Sequence, residues 1–184
     1  MNDKPALLIV SGDFETGKTR FSQQLAQGLQ EAGWDVAGIV SPAVFEDGVK
    51  TAIDALDLRS GERHRLAERN QAGSSLDGPA TSHWQFSQET LDWCDGVLRS
   101  ASPCDLLVID ELGPLEFDRG IGLQAGLEAI DEGRYLASVV VVRSALLERV
   151  KARWSHAEWI RSVPAEATIP LIEDWIQRLG SLKM

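Results

Sequence analysis

Apolar residues along this chain fall in short runs separated by longer amphipathic stretches. Ala6–Val10 is apolar throughout and predicts a strand covered on both faces. Ser11–Thr16 follows as a turn. From Gly17 to Ala32 the period changes: Phe21, Leu25 and Leu29 recur every fourth residue, an apolar stripe along one face of a helix. Gly33 is suited to stop that helix, because glycine takes the left-handed conformation common at helix ends. Val36–Val40 predicts a second buried strand, closed by Pro42. Strand, turn, helix, strand is a βαβ unit, whose crossover packs on a mostly parallel sheet.

The next stretch has another rhythm. Val49–Leu58, between the turn signals Asp47-Gly48 and Ser60-Gly61, predicts extended strands or a hairpin. Arg65–Ala80 is polar and carries Gly and Ser, which predicts a mobile loop. Ser82–Phe86 reads as a short strand. Ser87 caps a helix running to about Ser100, with Phe86 and Leu91 at the two positions of a hydrophobic staple. Leu106–Ile109 and Leu136–Val142 are further buried strands, and Gly122–Glu132 and Ser144–Arg153 are helices. Ala157–Val163 is a last strand and Pro170–Leu179 a last helix. The alternation predicts one α/β domain over residues 1–184, with Val49–Phe86 inserted at one side of the sheet.

Chemistry enters between the first strand and the first helix. Gly12-Asp13-Phe14-Glu15-Thr16-Gly17-Lys18-Thr19 fits the phosphate-loop pattern without a gap. Its glycines let the backbone turn tightly and approach an anion. Successive N–H groups form a nest, and the helix N-terminus adds its own donors and dipole. Lys18 supplies a charge to the β- and γ-phosphates, and Thr19 a hydroxyl to magnesium. These eight residues and Arg20 are the candidate nucleotide contacts. Asp13 and Glu15 oppose phosphate charge, so their side chains are expected to face outward.

A magnesium-bound triphosphate calls for an acidic partner on a neighbouring strand. Leu106-Leu107-Val108-Ile109-Asp110 supplies one at the strand's C-terminal end, where open α/β sheets bind ligands. Asp110 is expected to hold magnesium through its water shell. Glu111 follows as the candidate general base for an attacking water. Glu116 and Asp118 continue the acidic run, and Glu116 is a candidate to face the site. A glutamate at position 111 and the lack of a legible acceptor site favour hydrolysis over phosphotransfer. A small-molecule or nucleotide kinase and a nucleotide-dependent switch with little turnover are the alternatives.

Four blocks together resemble a known family. They are Gly12–Thr19, Gly38-Ile39-Val40-Ser41-Pro42, Asp57-Leu58-Arg59-Ser60-Gly61-Glu62 and Asp110-Glu111-Leu112-Gly113-Pro114-Leu115-Glu116. The resemblance, from about Ala6 to about Arg153, is to the small P-loop nucleoside triphosphatases of thermophiles and human. It implies a three-layer, RecA- or AAA-like P-loop core and magnesium-dependent hydrolysis of several nucleoside triphosphates, ATP and GTP among them. It also implies a role for Glu116, counted here with Thr19 and Asp110 on the magnesium side. Arg143 matches a basic position of the family; at a strand's end it is placed to offset charge on the γ-phosphate, or it is a solvated arginine opening a helix. The chain departs from relatives at Phe14, Glu15 and Arg20.

Charge narrows the partners. A formal net charge of −10 gives a field that repels nucleic acid, so no nucleic-acid partner is expected. No apolar run approaches a bilayer's thickness and no secretory leader is visible, which predicts a cytoplasmic protein, expected to be monomeric. Cys94 and Cys104 are too few for a disulfide framework and have no histidine at ligand spacing, so they are read as small buried residues. The tryptophans, including Trp84, Trp93 and Trp175, are read as core.

Overall fold

A computed structural model of the chain describes residues 5–12, 16–71, 74–161 and 168–183. Nine strands are β1 (Ala6–Gly12), β2 (Val36–Val40), β3 (Ala43–Glu46), β4 (Val49–Asp57), β5 (Arg63–Arg69), β6 (Trp84–Phe86), β7 (Cys104–Leu112), β8 (Tyr135–Arg143) and β9 (Glu158–Arg161). The helices are α1 (Lys18–Glu31), α2 (Gln88–Ala101), α3 (Pro114–Phe117), α4 (Gln124–Glu132), α5 (Leu147–Arg153) and α6 (Thr168–Gly180). The strands form one sheet in the order β6-β5-β4-β2-β7-β8-β1-β9, and β3 pairs with β4.

Five adjacent strands, β2, β7, β8, β1 and β9, are parallel. Their side chains alternate between two cores, as the period of a strand requires. Ile9, Ile39, Ile109 and Val140 join Leu91 and Leu98 of α2 and Leu127 of α4 on one face. Val10, Val40, Val108 and Val139 join Phe21 and Leu25 of α1 and Trp175 of α6 on the other. Both faces are therefore covered, which is why these strands read as unbroken apolar runs. Strands β2 and β7 approach closely at Gly38, whose φ is +113°. A Cβ there would lie 1.9 Å from the Val108 carbonyl oxygen, so only glycine fits.

Beyond β2 the sheet turns antiparallel. Asp47 and Gly48, both at positive φ, close the β3–β4 hairpin, and β4, β5 and β6 follow as neighbours. The insertion predicted at one side of the sheet is this extension, and it begins earlier, at Ala43. The start of the predicted loop Arg65–Ala80 is corrected: β5 runs through Arg69. It reads as polar because its first three residues, Arg63, His64 and Arg65, are all exposed. Leu66 and Ala67 point into the core, while Arg63 and Arg65 each place Nε 2.8 Å from Asp54 on β4. Helix α2 opens as expected, with the Ser87 hydroxyl accepting from the Thr90 amide at 3.1 Å. Residues 162–163 of the predicted last strand lie outside the described residues. No described helix is long and apolar enough to cross a membrane.

Candidate active site

The site is built on the C-terminal ends of the parallel strands. Gly12 ends β1 beside Arg143 at the end of β8. Gly17, at φ +81°, reverses the chain into α1 and leaves Lys18 and Thr19 in the first helical turn. Lys18 is 8% exposed and its Nζ donates to the Gly12 carbonyl at 3.0 Å, which holds the ammonium at the end of β1. Arg20 is exposed on the next position of the helix. Asp13, Phe14 and Glu15 lie outside the described residues, and so does the expectation that the two acids face outward.

Strand β7 brings the acidic pair. Its register against β8 shifts between Ile109 and Leu112, so one extra residue is inserted on β7. Such a bulge re-aims side chains at a strand's end. Asp110 is 1% exposed. Burial and then the neighbouring Glu111 push its carboxyl up to about 7, while the Thr19 hydroxyl, the Ser41 amide and Lys18 pull it down. The Ser41 amide donates to Asp110 Oδ2 at 3.3 Å, and the Ser41 hydroxyl donates to the Asp110 carbonyl oxygen. Oδ1 has no hydrogen-bond partner among the described residues. A buried carboxylate oxygen without a donor is costly, and the chemistry of the set fits a hard cation: the Asp110 carboxylate and the Thr19 hydroxyl are both oxygen donors, and Lys18 beside them is a charge for phosphate.

Glu111 lies next in the chain and receives the Arg143 guanidinium, with Nε 2.5 Å from Oε1. Arg143 therefore sits between the loop glycine and the candidate base, and is not a freely solvated arginine.

Glu116 follows in α3. It is 6% exposed, and its two oxygens accept from the Gly113 amide at 2.8 Å and the Leu123 amide at 2.9 Å. Burial raises its pKa, and those two amides oppose the rise. Gly122, at φ +79°, leaves the room: a Cβ there would lie 2.2 Å from Glu116 Oε1. The carboxylate is thus occupied by backbone donors on either side of α3. It shapes the turn after Glu111 and lies on the wall of the same cavity as Asp110 and Glu111, as expected of a residue facing the site. The block Asp57–Glu62 is likewise structural. Asp57 accepts from the Arg59 amide and the Ser60 hydroxyl, and Arg59 pairs with Asp35 at 2.8 Å, before the start of β2.

Ser41 carried no role from sequence. The available signal was its position: Ile39 pairs with Ile109 in parallel register, so Ser41 falls beside Asp110. One cavity of about 490 Å³ joins these groups, with Lys18, Thr19, Asp110, Glu111 and Arg143 on its wall. It continues past Ser41 to Ile53, Leu66, Trp84 and Phe86 of the antiparallel extension.

Comparison with known proteins agrees with this geometry. The family model described as NTPase matches residues 7–161. The chain is 26% identical to a nucleoside-triphosphatase THEP1 of Methanopyrus kandleri, over 76% of each chain. It is 29% identical to that of Pyrococcus abyssi, over 71% of this chain and 72% of the relative. Two solved structures share the fold: a human cancer-related nucleoside triphosphatase, with a TM-score of 0.71 and 19% identity over 96% and 98% of the two chains, and THEP1 from Aquifex aeolicus, with a TM-score of 0.65 and 15% identity over 94% and 98%. The acidic strand end expected on a strand next to β1 is instead one strand further on, with β8 between β7 and β1; with these strand ends and a family model covering most of its length, the chain belongs to the NTPase family.

Proposed function

We propose that this chain hydrolyses nucleoside triphosphates to the diphosphate and phosphate, with magnesium and without strong preference for the base. The observation that carries the reading is the placement of Asp110 and Glu111 on the same cavity wall as Lys18 and Thr19. The relatives named as nucleoside triphosphatases support it.

Lys18 and the amides at the start of α1 bind the β- and γ-phosphates. Thr19 and Asp110 would hold magnesium; when bound, it neutralises the charge of the β- and γ-oxygens. Glu111 orients the attacking water and takes its proton at a carboxylate oxygen. Arg143 holds that carboxylate at rest and, from the end of β8, offsets the charge that builds on the γ-phosphate. A γ-phosphate competes with Glu111 for the guanidinium, so arrival of the triphosphate loosens the ion pair and frees the base.

The test is phosphate release from ATP, GTP, CTP and UTP, with and without magnesium, for the wild type and Glu111→Gln. Release from all four that needs magnesium, and falls by about 100-fold or more in the variant, is the expected result. Unchanged release by Glu111→Gln, or none by the wild type, would sink the proposal.

A further inference from the structure

The cavity is larger and more apolar than phosphates require. Its polar end is the site described above. Its other end is walled by Ile53, Leu66, Trp84, Phe86, Leu91 and Leu123, which have no part in holding a triphosphate. Ligand pockets of about 300–1,000 Å³ with an apolar wall and a few polar groups are the usual form of small-molecule sites, and about 490 Å³ falls in that range.

Strand order decides which side of the nucleotide this end adjoins. Along the sheet the sequence is β9, β1 with the loop, β8 with Arg143, β7 with Asp110 and Glu111, β2 with Ser41, then β4 and β5. The phosphate that meets Asp110 and Glu111 is the γ-phosphate, so it points from β1 toward β7. The nucleoside leaves the α-phosphate at the opposite end of the chain of phosphates, toward β9. The apolar end, beyond β7 and β2, is therefore on the far side of the γ-phosphate, where the nucleoside's own base does not reach. This orientation rests on the function proposed above.

Charge at the apolar end completes the description of its occupant. In a chain of net charge −10, two cations meet on the Trp84 indole: Lys50 Nζ lies 4.9 Å from the ring centroid and the Arg69 guanidinium 5.4 Å. Lys50 also lies on the cavity wall. An aromatic body matches the Trp84–Phe86 wall, and an acidic group matches Lys50.

We propose that this end is a separate subsite for a small aromatic carboxylate, bound together with the nucleotide and beside its γ-phosphate.

The test uses protein loaded with magnesium and the β,γ-imido analogue of ATP, whose binding is measured first by calorimetry. Benzoate, salicylate, naphthoate and indole acetate are then added, and saturation transfer from protein to probe is read by NMR. The expected result is transfer to at least one probe with the analogue still bound. Ala43→Trp, which fills the cavity from β3, abolishes it while analogue binding persists, and Lys50→Ala weakens carboxylate binding by about tenfold, or about 1.4 kcal/mol, without weakening benzamide. Transfer to no probe in the loaded protein overturns the proposal. So does displacement of the probe by the analogue, which makes this end the nucleoside's own site, and so does transfer unaffected by Ala43→Trp. Failure of the analogue itself to bind overturns the proposed function and this inference together.

Discussion

Single side chains settle most of the chemistry. Asp110 and Glu111 are consecutive and both line the cavity, yet their surroundings differ. Asp110 is buried with an oxygen that has no donor among the described residues, whereas Glu111 is matched by Arg143. Arg143→Ala is expected to lower kcat of phosphate release by roughly 10- to 100-fold, with nucleotide affinity changed less; a larger effect on KM than on kcat argues against it. The two thiols follow the same logic in a simpler way. Burial pushes Cys94 up to about 12 and Cys104 up to about 11, so neither forms thiolate near neutral pH. Alkylation by iodoacetamide at pH about 8 is expected to be more than about 100-fold slower in the folded protein than in urea. Equal rates would show that the thiols are accessible.

Elements explain why those side chains meet. The turn after β7 is held by Glu116, whose two backbone contacts join Gly113 to Leu123 across α3. Removing the carboxylate leaves two buried N–H groups without a partner, at about 1–3 kcal/mol each. Glu116→Ala is therefore expected to lose roughly 2–6 kcal/mol in urea unfolding, with magnesium affinity of the folded protein little changed. A large loss of magnesium affinity with stability intact would place Glu116 at the metal. The β2–β7 contact is tighter still. Gly38→Ala places a methyl group against the Val108 carbonyl at a positive φ, and a loss above about 4 kcal/mol or a failure to fold is expected.

The whole molecule couples the site to the fold, because the site's groups come from α1, β2, β7 and β8 and are in place only when the sheet is assembled. A ligand bound there stabilises the native state by mass action, about 2.7 kcal/mol at a hundredfold excess over Kd. For a chain of this length that is roughly 5–10 °C in Tm. The β,γ-imido analogue of ATP with magnesium is expected to give such a shift by differential scanning fluorimetry, and addition of EDTA to remove most of it. An equal shift with EDTA present would mean that magnesium is not part of the bound state.

The sequence alone carried the parallel half of the fold and most of the candidate site, because there the signals are local. Buried strands such as Val36–Val40 are unbroken apolar runs, the α1 stripe repeats every fourth residue, and the phosphate loop and the Asp110-Glu111 pair are contiguous in the chain. Only the tertiary structure decided the rest. The start of β5 looked like a loop, since its charged residues are exposed, and pairing with Asp54 is a contact between strands. The two amides that meet the Glu116 oxygens were not legible, since residue type does not tell what a carboxylate's oxygens touch. Ser41 beside Asp110, Arg143 on Glu111 and the apolar end of the cavity all join residues far apart in the chain. Their juxtaposition is set by strand order, and strand order is a property of the packed sheet.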